Sequence, residues 1–257
     1  MINLASAHEM WIEPVKFIVA KNDTIYAHEK VGQNFKGNQY SYLNTSYEKL
    51  DLTVNDKTRP VKSRIGDIPA IHEEAKEEGL TILSAVTTVS DINYETWEKF
   101  ESFIKNKGLD WVLKKHKERG LPKKGFTEAY KRFPKALVKV GNGKGHDKEL
   151  GMRLEWVAIS NPYTTPFEKN GVIKAKLLWE GKPSKHMHVS IFNKNEGKLI
   201  KSDLYTDEQG VVNIPQANGG DFLINAVQMI EPSDKIKEET GAVWESLWAS
   251  LTYSIKK

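Results

Sequence analysis

The sequence predicts a mainly β protein of two sandwich-like domains, the first interrupted by helices. Short runs of β-branched and aromatic residues recur along the chain with turn residues between them. In the last third, apolar side chains alternate with polar ones at the period of a half-buried strand. Between about residues 93 and 134 the apolar spacing changes to that of a helix.

In chain order, residues 11–31 read as strands. Phe17-Ile18-Val19-Ala20 is an apolar run, Asn22-Asp23 a turn, and Thr24 to Val31 is rich in strand formers. Gly32 and Gly37 punctuate a loop carrying Tyr40, Tyr42 and Tyr47, followed by a strand at Leu50–Val54 and a turn at Asn55-Asp56. Leu80 to Val89 is β-branched and bounded by Gly79 and Asp91, as in a buried strand. Asn93 is placed to cap a helix from Tyr94 to about Lys107, with Trp97, Phe100, Phe103 and Ile104 on its apolar face and Gly108 after its end. Asp110 starts a second helix that closes at Gly120 before Pro122, and Phe126 to Phe133 reads as a third. Ala136 to Val140 returns to strand. The loop at 141–147 holds three glycines but lacks the strand–loop–helix setting and the Lys-Ser/Thr ending of a phosphate loop, so it reads as a connection.

Beyond Pro162 the alternation is regular. Ile173, Ala175, Leu177 and Trp179 share a face, Gly181-Lys182-Pro183 turns the chain, and Met187, Val189 and Ile191 point inward on the next strand. A turn at 206–210 leads to Val211–Ile214, and Gly219-Gly220 precedes Phe222–Met229. A charged linker, Glu231 to Thr240, leads to a terminal strand from Val243 to Ser254. The expected division is 8–160 for the N-terminal domain, with its helical insertion at about 93–134, and 161–257 for the C-terminal sandwich.

The net charge of +4 comes from scattered residues, and no basic stripe interleaved with aromatics marks a nucleic-acid binder. The absence of cysteine excludes disulfides, thiolate metal sites and cysteine nucleophiles. No apolar run reaches the length of a membrane span. Ala5-Ser6-Ala7 fits the small-x-small sequence that precedes signal cleavage, so Met1 to Ala7 reads as the remnant of a signal; a frayed terminus with two alanines is the plain alternative.

No arrangement of serines or carboxylates singles out a catalyst, and the expectation is a protein that is not an enzyme. The sharpest constellation is His186-Met187-His188 on an expected strand, where positions i and i+2 share a face and two imidazoles can chelate one transition metal. Cleavage after Ala7 would make His8 the first residue, joining an α-amine to an imidazole. With His186 or His188 this gives a nitrogen site for nickel, cobalt or copper, and Glu9 or Glu13 can add an oxygen ligand or accept from a ring N–H. The plain alternative is a pair of surface histidines on a solvated strand.

Ala7-His8-Glu9-Met10-Trp11-Ile12-Glu13-Pro14 resembles the AHxxWxEP start of mature proteins in a periplasmic family, domain-of-unknown-function family four-one-nine-eight, described as NikM-like and associated with nickel or cobalt transport. Tyr94-Glu95-Thr96-Trp97, Arg119-Gly120-Leu121-Pro122, Leu150-Gly151-Met152-Arg153-Leu154-Glu155 and Trp244-Glu245-Ser246-Leu247-Trp248 match in order. The resemblance implies export to the periplasm, cleavage near Ala7 and a metal-transporter component as partner. The turn sequences at 181–183, 206–210 and 220–222 are also similar to prealbumin-like modules, which implies that fold for the C-terminal domain. The leading expectation is a periplasmic metal-binding accessory protein. The other is a non-catalytic envelope module that binds a protein or glycan through the tyrosine-rich stretch at 40–47.

Overall fold

The computed structural model describes residues 8–168, 170–216 and 219–256. The expected signal remnant at 1–7 lies outside the described residues. The fold is mainly β. The strands are β1 (Glu9–Pro14), β2 (Ile18–Val19), β3 (Thr24–Gln33), β4 (Lys36–Tyr40), β5 (Tyr47–Val54), β6 (Lys57–Pro60), β7 (Ile71–Glu74), β8 (Gly79–Thr87) and β9 (Ser90–Tyr94). Helices α1 (Trp97–Asn106) and α2 (Trp111–Glu118) follow. Then come β10 (Phe126–Val140), β11 (Leu154–Ala158), β12 (Val172–Trp179), β13 (Lys182–Pro183), β14 (His188–Asn195), β15 (Lys198–Tyr205), β16 (Val211–Pro215) and β17 (Gly220–Ile230). A short helix, α3 (Asp234–Thr240), precedes β18 (Ala242–Ile255).

A ten-stranded sheet forms the centre, in the order β15-β14-β17-β18-β10-β8-β5-β6, with β2 and β9 also pairing with β10. Strands from both sides of residue 160 share it, because β10 and β18 pair in parallel from Glu128↔Trp244 to Ala136↔Thr252. Alternation along each strand sends side chains to two faces. One face carries Phe133, Leu137, Val189, Ile191, Ile224 and Leu251 against a sheet of β11, β12, β13 and β16, whose Trp156, Ile173 and Leu177 complete that core.

The opposite face has two covers side by side. An outer sheet of β1, β3, β4 and β7 lays Ile12, Ile25, Ala27 and Ile71 onto Leu52, Leu83, Ala136 and Val138. Helices α1 and α2 place Phe100, Phe103, Ile104 and Val112 onto Phe126, Met229, Trp244 and Trp248. The helical spacing read in the sequence is thus the spacing that buries this stripe.

Three expectations are corrected. Asn93 lies in β9, and α1 starts at Trp97 after an extended Thr96 whose side chain makes no capping bond. Phe126–Phe133 is the first half of the 15-residue β10 rather than a helix. Its neighbours β9 and β18 supply hydrogen bonds on both sides, and that pairing overrides the helix-permissive run from Glu128 to Arg132. The charged linker contains α3, capped by the Ser233 hydroxyl accepting from the Ile236 N–H and closed by Gly241 at φ 69°.

Lys135 of β10 is fully buried, and its ammonium is fixed on four sides. It pairs with Asp147 at 2.7 Å and Glu155 at 3.2 Å, and donates to the carbonyls of Lys148 (3.0 Å) and Trp156 (2.9 Å). Asp147 accepts in turn from the Ala158 N–H, and Glu155 from the N–H groups of Leu150 and Met152. One cation thereby ties the glycine-loop connection and β11 to the central sheet. Removing it leaves two carboxylates buried without a counter-charge. Lys135→Met is expected to lower unfolding free energy by about 3–5 kcal/mol, read from the urea midpoint.

Candidate functional site

Where the two covers meet, a row of polar side chains crosses the central sheet. Asp203, Ser190, Asn225 and Ser250 lie opposite one another on β15, β14, β17 and β18. They belong to the face whose neighbouring positions are filled by Trp248 beneath the helices and by Phe192 and Leu223 beneath the outer sheet. The row's side chains have partners of several kinds: Ser190 bonds Asp203, Asn225 accepts from the Lys107 ammonium, and Ser250 satisfies a backbone carbonyl of the outer sheet. Ser250 donates to the Met10 carbonyl and Thr252 to the Ile12 carbonyl, each at 2.6 Å, on the side of β1 that has no strand partner among the described residues. Lys107, at the end of α1, enters the seam above Trp248, donates to Glu9 at 2.6 Å and reaches Asn225 at 3.4 Å. Gly108 follows at φ 65°, and a Cβ there would stand 2.8 Å from the Cβ of His188, so the glycine serves both the helix end and this close approach.

The predicted ligands divide between the seam and its surroundings. Glu9 is buried in the seam, held by Lys107. His188 opens β14 at the seam's mouth, with Nε2 3.1 Å from Asp203 and its ring edge-on to Tyr205. Asp203 also accepts from the Ser190 hydroxyl at 3.1 Å. Burial lowers the His188 pKa; Asp203 opposes that shift, and the charges of Lys107 and Lys201 add to it.

His186 lies before the strand in a left-handed turn at φ 53°, exposed, with Nε2 2.7 Å from Glu208. It therefore does not continue the strand face of His188. The half-buried His8 contributes its carbonyl to Arg132 at 3.2 Å. Glu13, the alternative to Glu9, is taken by Lys30 and the Trp11 indole N–H, each at 2.7 Å. Burial works to raise its pKa, and those two partners outweigh burial to hold it below the ordinary value. Among the described residues no group of three or more His, Asp or Glu side chains is arranged to hold a metal ion.

A second concavity opens at the mouth between the outer sheet and the β5–β6–β8 side of the central sheet. This cleft of about 500 Å³ has Ile25, Leu52, Val54, Ala75 and Thr81 in its walls. Its charged residues are Arg59, Lys62 and Lys76 facing Glu73, Glu74 and Glu77. Glu73 is fixed by Arg59 at 2.6 Å and by the Lys62 N–H at 2.6 Å. Lys62 and Lys76 extend into solvent. Nearby, Tyr42 and Tyr47 stack at 5.7 Å and pack on the second core, while Tyr40 is exposed.

A third polar group lies beneath the helices. Glu128 is fully buried and accepts from Tyr94 (2.9 Å) and from the Ser246 hydroxyl. Burial pushes its carboxyl up to about 7, and the bonds from Ser246 and Tyr94 counter part of that shift. Sequence reading did not single out Lys107, Ser190, Asn225, Asp203 or the cleft residues, because each becomes notable only through a partner distant in the chain. Lys107 and Glu9 are 98 residues apart.

A family model described as "Domain of unknown function (DUF4198)" matches residues 5–230. A search of curated proteins found no match.

The seam makes a checkable statement about charge. In a pH titration followed by NMR, His188 is expected to titrate below the usual imidazole value. Asp203→Asn should move it further down, since the carboxylate is the group that raises it. The unfolded chain then takes up the proton first. This histidine's contribution to stability is therefore present above the ordinary imidazole value and lost as pH falls from there through its lowered folded-state value.

Proposed function

The chain belongs to the DUF4198 family, and from that premise we propose that it is an exported binding protein of the bacterial envelope, holding an extended protein segment in the cleft between its outer and central sheets. The observation that carries this reading is the cleft itself. Its volume lies in the range of ligand sites, and it joins apolar walls to a few charged groups, the combination that fixes a ligand's orientation. Both signs of charge are present, which suits a peptide with acidic and basic side chains around an apolar anchor. No aromatic side chain is among the described residues lining the cleft, so they offer no flat stacking surface of the kind sugar rings favour. This favours a peptide over a glycan. Export is supported by the likeness of residues 7–14 to the mature start of the family.

Peptides selected from a random display library against the folded protein test this reading. A bound peptide is expected to shift the methyl signals of Ile25, Leu52 and Val54. Lys62→Glu combined with Lys76→Glu should weaken it about tenfold, roughly 1.4 kcal/mol. Selected peptides that shift only remote signals, or that ignore the double charge reversal, would sink the proposal.

One observation favours a second reading, metal delivery to a nickel or cobalt transporter component. Burial favours the neutral form of His188, the form that binds metals, beside Asp203 in the seam that also holds Glu9. Glu9 becomes a ligand only when its bond to Lys107 opens. Under this reading a chain that begins at His8 takes up about one equivalent of Ni, Co or Cu, and His188→Ala abolishes that uptake. Equal metal retention by both proteins would exclude His188 as the ligand.

A further inference from the structure

The central sheet ends differently at its two edges. Strand β6 closes one edge with four residues, Lys57–Pro60, including two basic side chains and a proline that cannot donate to a further strand. Strand β15 closes the other with eight residues, none of them proline. Its only strand neighbour among the described residues is β14. Leu199, Ile200 and Tyr205 are exposed on it, between 42 and 63 %. A long edge strand with exposed apolar side chains is a template for further pairing unless something blunts it. The charges available to blunt it are Lys198, Lys201 and Asp203.

We propose that β15 is the contact strand of a symmetric dimer, pairing antiparallel with β15 of a second copy about a two-fold axis at Ser202. The occupant is argued from self-complementarity. With Ser202 opposite its own copy, Lys201 faces Asp203, Ile200 faces Leu204 and Leu199 faces Tyr205, each pair occurring twice. Opposite charges and apolar pairs thus meet directly across the junction, the arrangement that stabilises antiparallel strands. An axis at Lys201 sets lysine against lysine, and one at Asp203 sets aspartate against aspartate. An axis midway between neighbouring residues brings Ile200 opposite Asp203 or Leu204 opposite Lys201. The strand therefore specifies one register against its neighbours. Pairing is isologous, so it closes at two copies and joins two ten-stranded sheets into one continuous sheet.

The chain has no cysteine, which permits a direct test. Directly opposed residues of an antiparallel pair have Cα atoms about 4.5–5.5 Å apart, within disulfide reach. Ser202→Cys is expected to give an interchain disulfide under mild oxidation. Gln39→Cys, also exposed but on β4, should give none above random collision. In sedimentation, the unmodified protein should rise with concentration from 29.2 kDa to twice that mass. Lys201→Glu should abolish the rise, and adding Asp203→Lys should restore it. Asp203→Lys also removes the acceptor of His188, so the disulfide, which leaves both residues untouched, decides between a lost fold and a lost interface. A protein that stays monomeric at every concentration, with Ser202→Cys crosslinking no faster than Gln39→Cys, overturns the proposal. So does a dimer that survives Lys201→Glu while Ser202→Cys stays uncrosslinked.

Discussion

An ammonium group without access to water holds this protein's layers in register. Lys135 projects from β10 toward the β11–β12 sheet, where Asp147, Glu155 and two carbonyls surround it. Burial of such a group is costly unless each proton is matched, and here each carboxylate is itself fixed by backbone N–H groups. The cluster therefore behaves as a unit. It sets where the connection after β10 must run and hence where β11 joins the fold. Because β10 also pairs with β2, β8, β9 and β18, a shift at Lys135 would be felt in every layer.

The seam on the opposite face follows from a different constraint. An outer sheet and a helical pair cannot cover one face without a joint, because a strand edge and a helix end both carry backbone groups in need of partners. Ser250 and Thr252 answer two of those carbonyls, and Lys107, bonded to Glu9 and reaching Asn225, bridges the joint. The polar residues here have a structural duty first. His188 and Asp203 lie where the joint reaches solvent, and there the same groups become available for chemistry.

Much of the fold was legible because burial follows local periods. The alternation of Ile173, Ala175 and Leu177 and the helical stripe of Phe100, Phe103 and Ile104 each match the face they bury. Reading failed where inward positions are polar. Glu128 and Lys135 are both buried in β10, and a strand that hides charges does not look like one. The histidine pair was legible as a motif but not as a geometry. One left-handed residue at His186 ends the shared face, and letters alone do not carry a backbone angle. The seam and the cleft were illegible for a further reason, since their residues are unremarkable until distant strands bring them together.

The place of β18 has a consequence for how the fold is reached. Residues 242–255 follow every other strand among the described residues, yet they lie between β10 and β17 in the middle of the central sheet. Until that segment is in place, β10 and β17 each present an unsatisfied inner edge, and the two halves of the sheet have no common backbone. Assembly thus waits on a strand delivered after both of its neighbours, a high-contact-order closure that favours slow folding and leaves strand edges bare in the interval. A chain emerging N-terminus first would expose the inner edges of β10 and β17 throughout that interval.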